Sequence, residues 1–274
     1  MRITALVLIT SLAVVAMHTL AMAGDIELAY LVRPLDGNRG ILVRADGTAW
    51  EVTKGVGCPL FETSEGTRVL VESNGAFLRP HYSTLIFPDG QRCDVHASRP
   101  LGPFENAPDV DDVIDQRLTE DERYTLAQAA LKALGYYTGV VSGVDDTFDD
   151  ALRGFKESTG LDIDTELDPA TLILISRDLQ VLYPDDAGHL GIALTLREDA
   201  VRILLERPGC KRLAVSEVYT DRRALGLSDG TVAMLESESQ LLEHTDPGDD
   251  VVICGVTLVG MKTGEVSRVR VVTE

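Results

Sequence analysis

Thr119-Glu-Asp-Glu-Arg-Tyr-Thr-Leu-Ala-Gln-Ala-Ala-Leu-Lys-Ala-Leu-Gly135 is the stretch whose reading decides the architecture of this chain. Thr119 and Glu122 stand at capping-box spacing, so a hydroxyl and a carboxylate satisfy the orphan amides of a first helical turn. The spacing predicts a helix to about Leu134, with Tyr124, Ala127, Leu131 and Leu134 on one face and Gly135 as the left-handed stop. Beyond the turn-rich residues 136–143, Thr147 is placed to cap a second helix. Phe148, Ala151, Leu152 and Phe155 recur there at helical spacing, and Gly160 ends it. Asp168 before Pro169 is an N-cap followed by proline at the first helical position, which predicts a third helix with Leu172, Ile175 and Leu179 inward. Three such helices over residues 119–182 make a unit near the lower size limit for a self-sufficient core.

The run Gln128-Ala-Ala-Leu-Lys-Ala-Leu-Gly-Tyr-Tyr-Thr-Gly139 resembles the first half of a peptidoglycan-binding-like domain, the three-helix module appended to many cell-wall hydrolases. The second half is similar at Gly143-Val144, Ala151-Leu-Arg-Gly-Phe155, Gly160-Leu161 and Leu167-Asp-Pro-Ala-Thr-Leu172. The chain departs from the family pattern at Lys156, where a glutamine commonly follows the buried aromatic. The resemblance implies a ligand groove between helices, with Tyr136, Tyr137, Arg153 and Lys156 as candidate ligand-binding residues. The tyrosines follow the family motif, and the two cations are the groups able to meet a peptide-stem carboxylate.

Working outward, Met1–Ala23 reads as a signal peptide: Arg2 as the basic region, an apolar run, and Ala21-Met-Ala23 as the cleavage site. The apolar run is shorter than the roughly 20 residues of a spanning helix, so no stable membrane span is expected after cleavage. Cleavage removes Arg2 and no acid, so 25 basic residues become 24 against 44 acids, and the net charge goes from −19 to −20. Such a field repels nucleic acid. The expected location is periplasmic or secreted.

All four cysteines lie in the exported part. Four allow three connectivities; because the helical unit separates them into two pairs, Cys58–Cys93 and Cys210–Cys254 are the natural disulfides. Residues 24–104 read as a small all-β domain, barrel or sandwich, with short β-rich runs such as Ile41–Arg44 and Ala49–Val52 between Asp-Gly and Asn-Gly turns. Trp50, the single tryptophan, is read either as a core or barrel-rim residue or as a sugar-stacking platform. Residues 105–118, with Pro108 and Asp109, Asp111, Asp112 and Asp115, read as an acidic linker. After a second breaker cluster at Tyr183–Gly188, residues 189–274 read as mostly β, with 201–205 undecided between strand and helix. The expected fold class is therefore α+β multidomain.

One internal echo stands out. Asp46-Gly-Thr48 and Asp229-Gly-Thr231 are each followed some twenty residues later by a glycine and a valine-rich strand, as two copies of one small barrel would be, or two hairpins alike by chance.

A search for catalysis finds no HExxH, GxSxG or paired-cysteine metal spacing, and His81, His96, His189 and His244 stand apart. The clustered Asp145, Asp146, Asp149 and Asp150 read as complements to a helix macrodipole. No cofactor and no metal are expected. The first expectation is a non-catalytic exported protein whose central domain binds peptidoglycan or another cell-envelope component. The second is a protein-interaction scaffold whose helical unit has lost wall binding, and a cell-wall hydrolase is a distant third.

Overall fold

The computed structural model describes residues 26–59, 61–73, 82–104, 116–142, 146–236 and 240–273. The proposed signal peptide and residues 105–115 of the proposed linker lie outside them.

The order of elements is a β-barrel, a helical middle and a second β-barrel. The first barrel comprises β1 (Ile26–Asp36), β2 (Arg39–Arg44), β3 (Thr48–Lys54), β4 (Thr67–Ser73), β5 (Tyr82–Ile86) and β6 (Arg92–Pro103). The helices are α1 (Glu120–Ala133), α2 (Asp146–Thr159), α3 (Pro169–Leu182) and α4 (Ala187–Leu205). The second barrel comprises β7 (Cys210–Tyr219), β8 (Ala224–Leu227), β9 (Thr231–Leu235), β10 (Asp250–Cys254), β11 (Thr257–Gly260) and β12 (Val266–Thr273), with a one-turn helix α5 (Leu241–His244) after β9. The chain is thus α+β and multidomain.

Both barrels are closed, antiparallel and six-stranded, and they share one topology. The first runs β1-β2-β3-β6-β5-β4 around the barrel, the second β7-β8-β9-β12-β11-β10. Local chemistry repeats with the topology. Between the second and third strands, Asp46 Oδ1 accepts from Thr48 N and Oγ1 at 2.9 and 2.6 Å, and Asp229 Oδ1 does the same for Thr231 at 3.1 and 2.6 Å. Gly47 and Gly230 take φ of 78° and 84°, a conformation that costs glycine nothing. Before the fourth strand, the amides of Gly66 and Gly248 donate to Leu31 O and Val215 O of the first strand. Phe61, in a 3₁₀ turn, and Leu241, in α5, are both wholly buried between the third and fourth strands. The internal echo is a repeat of architecture.

The two disulfides form as paired in the sequence reading, Cys58–Cys93 and Cys210–Cys254. They do not occupy equivalent places. The first ties the exit of β3 to β6, while the second links directly opposed residues of β7 and β10.

Strand alternation lets each barrel serve two cores. On β1, Ala29 and Leu31 point into the barrel, while Ile26, Leu28 and Tyr30 join the core of the helical unit. In the second barrel Val251, Ile253 and Leu258 turn inward, and Val252 and Val259 reach the helices. The central core is therefore continuous from one barrel wall, through Leu131, Phe155, Leu172 and Leu196, to the other.

Three expectations are corrected here. Residues 187–205 form a 19-residue helix, so the mostly β region begins at Cys210 and not at 189. Asp186 caps this helix by accepting from His189 N at 2.9 Å. At the end of the proposed linker, Leu118 is 3% exposed within the central core, and its amide donates to the buried Asp199. Thr147 lies inside the first turn of α2, which starts at Asp146.

Candidate functional site

The capping box at Thr119 and Glu122 forms, with Thr119 Oγ1 accepting from Glu122 N at 3.2 Å and Glu122 Oε2 accepting from Thr119 N at 2.9 Å. At the far end of α1, Gly135 turns the chain with φ 83°, and the amides of Tyr136 and Tyr137 both donate back to Leu131 O. This closure sends the two tyrosines in opposite directions. Tyr137 goes inward, 2% exposed, its ring edge-on to Phe148 at 6.0 Å and its hydroxyl donating to Val140 O at 3.0 Å. The chain curls so closely around it that a Cβ at Gly139 would stand 2.4 Å from the hydroxyl.

Tyr136 goes outward and lies along α2. Its ring is edge-on to Phe155 at 5.4 Å, it passes over Gly154, and its hydroxyl is 2.8 Å from Ser158 Oγ. Arg153, which precedes Gly154 on α2, is half exposed, with Asp150 at 3.3 Å. A surface pair of that kind is worth little, so the guanidinium remains free to exchange partners.

Lys156 turns inward: its side chain is 1% exposed, and its ammonium sits 2.5 Å from Asp164 and 2.9 Å from Asp168. Burial pulls the lysine pKa down, but the hydrogen bonds with Asp164 and Asp168 outweigh it and hold the group above the usual lysine range. For Asp168, burial pushes upward and is outweighed by Lys156 and by the Thr171 amide and hydroxyl, so the carboxyl lies below its ordinary value. Asp168 also caps α3. Lys156 is thus a strut tying the loop before α3 to α2. Tyr137 and Lys156, expected as ligand contacts, are both buried and engaged in holding the fold. Tyr136 and Arg153 are the two of the four that reach solvent.

Other cations are also taken up internally. Arg68 pairs with Glu122 at 2.9 Å, Lys132 with Glu72 at 2.9 Å, and Arg123 with Asp199 at 2.8 Å. The first two pairs fasten α1 to the first barrel. Sequence reading missed these residues because each pair joins positions more than fifty residues apart. It also missed Ser158, whose only signal is its place one turn beyond Gly154 on the same helical face.

Asp146, Asp149 and Asp150 are exposed in the first turns of α2, as macrodipole complements would be; Asp145 lies outside the described residues, as does His81. His96, His189 and His244 sit on β6, α4 and α5. Among the described residues no three His, Cys, Asp or Glu side chains are grouped to hold a metal ion.

Residues 120–175 match the family described as putative peptidoglycan binding domain. This segment is a peptidoglycan-binding-like domain. It spans α1, α2 and the first half of α3, and stops short of α4 and of both barrels. No curated protein and no solved structure matches the chain. The peptidoglycan-binding-like domain here is not an appended module. Its third helix packs against α4, its first is salt-bridged to the first barrel, and its core is shared with both barrels. Two disulfides fit an extracytoplasmic protein. No helix among the described residues is long and apolar enough to cross a membrane.

Proposed function

We propose that this protein is exported and binds peptidoglycan without cleaving it, through the face of its central domain that carries Tyr136 and Arg153. The match of residues 120–175 to the peptidoglycan-binding family carries this reading. Tyr136 supplies an aromatic surface held in place by Ser158 and Phe155, and Arg153 supplies an exposed guanidinium for a stem-peptide carboxylate. The non-catalytic part is supported by the structural employment of groups that chemistry would need: all four cysteines are in disulfides, and Lys156 is buried between two aspartates.

The test is retention of the purified protein on peptidoglycan sacculi. Tyr136→Ala and Arg153→Ala should each reduce retention several-fold and together abolish it. Tyr137→Phe, which keeps the packed ring, should not. Loss of sacculus turbidity on incubation would overturn the non-catalytic reading.

A second reading is favoured by the depth to which the domain is sunk between the barrels: a scaffold that presents the barrels to another envelope protein. Wild-type protein that fails to co-sediment with sacculi at physiological salt would leave that reading in place.

A further inference from the structure

We propose that the mouth of the first barrel is a second ligand site, shaped for one sugar ring. A cavity of about 160 Å³ opens there, bordered by Trp50, Glu27, Arg44, Ser73 and Ser83 over a floor that includes Leu42 and Val52. A cavity on the order of 150 Å³ accommodates one six-membered ring. Closed barrels of eight strands are just wide enough to be filled by side chains or to hold one small ligand. A six-stranded barrel is narrower, so its room lies at the end and not along the axis.

The groups at the mouth are placed by strand alternation. Glu27 continues the inward series of Ala29 and Leu31 on β1, and Arg44 follows Leu42 on β2. Arg44 donates Nε and Nη2 to Glu27 Oε2 at 2.9 and 2.5 Å, and the carboxylate is mostly buried. Burial raises the Glu27 pKa, the hydrogen bond from Arg44 opposing it. Ser73 and Ser83 are directly opposed on β4 and β5, so their hydroxyls share one side of the mouth.

The second barrel supplies an internal control. Counting from the shared Asp-Gly-Thr hairpin, Arg44 corresponds to Leu227 and Trp50 to Ala233. Strand pairing agrees, since Leu42 opposes Trp50 and Leu225 opposes Ala233. Leu227 and Ala233 are buried, 2% and 0% exposed. The same topology therefore closes with apolar residues in one copy and opens around a tryptophan and an ion pair in the other. Barrel closure does not require the polar set.

The chemistry selects the ligand class. The guanidinium is matched to Glu27, and Asp46 and Asp186 lie close enough to act on both groups, so the mouth is no site for an anion. The net charge of −19 disfavours anions further. What remains is a carboxylate acceptor, a guanidinium donor and two hydroxyls beside the Trp50 indole. That set meets a neutral ring with hydroxyls on its edge and C–H groups on its face.

Trp50 is the chain's single tryptophan, so its emission reports on this site alone. Titration of the full chain with the methyl glycosides of glucose and of N-acetylglucosamine should give a saturable change in tryptophan emission with at least one of them. Glu27→Gln combined with Arg44→Leu, which copies the apolar choice of the second barrel and leaves no unpaired charge, should weaken it at least tenfold. Ser83→Leu, which fills the mouth, should do the same while unfolding at the wild-type denaturant concentration. Unchanged emission up to the solubility of both sugars, or a change indifferent to these substitutions, would overturn the proposal. Sacculus retention through Tyr136 and Arg153 is read separately, so either site can fail without the other.

Discussion

A Cβ atom placed on Gly188 would stand 2.3 Å from the Cβ of Glu27 and 2.8 Å from its Cα. The first turn of α4 therefore lies directly on β1, where no side chain fits between them. Gly188→Ala must push the helix off the strand or distort one of them, at a cost of about 1–3 kcal/mol for overpacking. Gly191 faces the same strand with only ordinary contacts, 3.5 Å to Ala45 and 3.7 Å to Leu28. Gly191→Ala should be neutral or should stabilise by up to about 1 kcal/mol, since alanine favours the helix. Urea denaturation of the two variants, with midpoints compared at equal slope, checks the difference. Equal midpoints would show that α4 does not touch β1 as described.

Lys156 and Asp168 give the central domain two pH edges. The Asp168 carboxyl lies below its ordinary 3.8, so its contribution is complete above that value and lost as pH falls through the folded-state pKa. The Lys156 ammonium lies above its ordinary 10.5, so its contribution is complete below that value and lost as pH rises through the folded-state pKa. Lys156→Met should cost roughly 1–2 kcal/mol near neutrality, between the surface and buried limits because Asp164 and Asp168 keep contact with water. The variant should also lose stability less steeply than wild type below pH 4 and above pH 10. Thermal melts across pH measure both slopes.

The parts of this fold legible in the sequence are those fixed by chemistry within a few residues. The Thr119–Glu122 box, the Asp168–Pro169 start and the two Asp-Gly-Thr hairpins each need only side chains reaching backbone two or three positions away. Helix α4 was not legible because its buried side is too broad to read as a stripe: Gly188, His189, Ile192, Ala193, Thr195, Leu196, Arg197 and Asp199 are all buried against α3 and both barrels, and a narrow line through Leu190, Leu194, Glu198 and Arg202 is half-buried. A helix clamped in this way loses the amphipathic period that identifies one. The inward turn of Lys156 was hidden for a different reason. Its partners lie on the following loop, and nothing in the spacing shows that Asp164 folds back over α2. The doublet Tyr136-Tyr137 was read as a pair, yet one closing turn at Gly135 separates its members into a packed and an exposed ring.

Each disulfide should contribute separately to stability. Separations of 35 and 44 residues correspond to about 3–4 kcal/mol apiece on the chain-entropy account. Replacing Cys58 and Cys93 by serine, or Cys210 and Cys254, should each lower the denaturation midpoint. Reduction of the wild type should lower it further than either pair alone. A double-pair variant as stable as either single pair would mean that one bridge does nothing once the other is lost.

Salt should strengthen wall binding. The chain carries a net charge of −19, and the cations Lys132 and Arg68 are taken up internally by Glu72 and Glu122. Peptidoglycan is itself anionic, so the long-range force between protein and wall is repulsive, and attraction rests on contacts at Tyr136 and Arg153. Ionic strength acts unequally on the two. The Debye length shortens from about 30 Å at 0.01 M to about 8 Å at 0.15 M, which removes most of the repulsion across the surface. A guanidinium in direct contact with a carboxylate is screened far less. Retention on sacculi should therefore rise across that range and fall only at molar salt, the reverse of the monotonic decline that a basic wall-binding protein shows. Co-sedimentation at graded sodium chloride measures it, and a steady fall from low salt upward would mean that binding runs through long-range charge attraction and not through the Tyr136–Arg153 face.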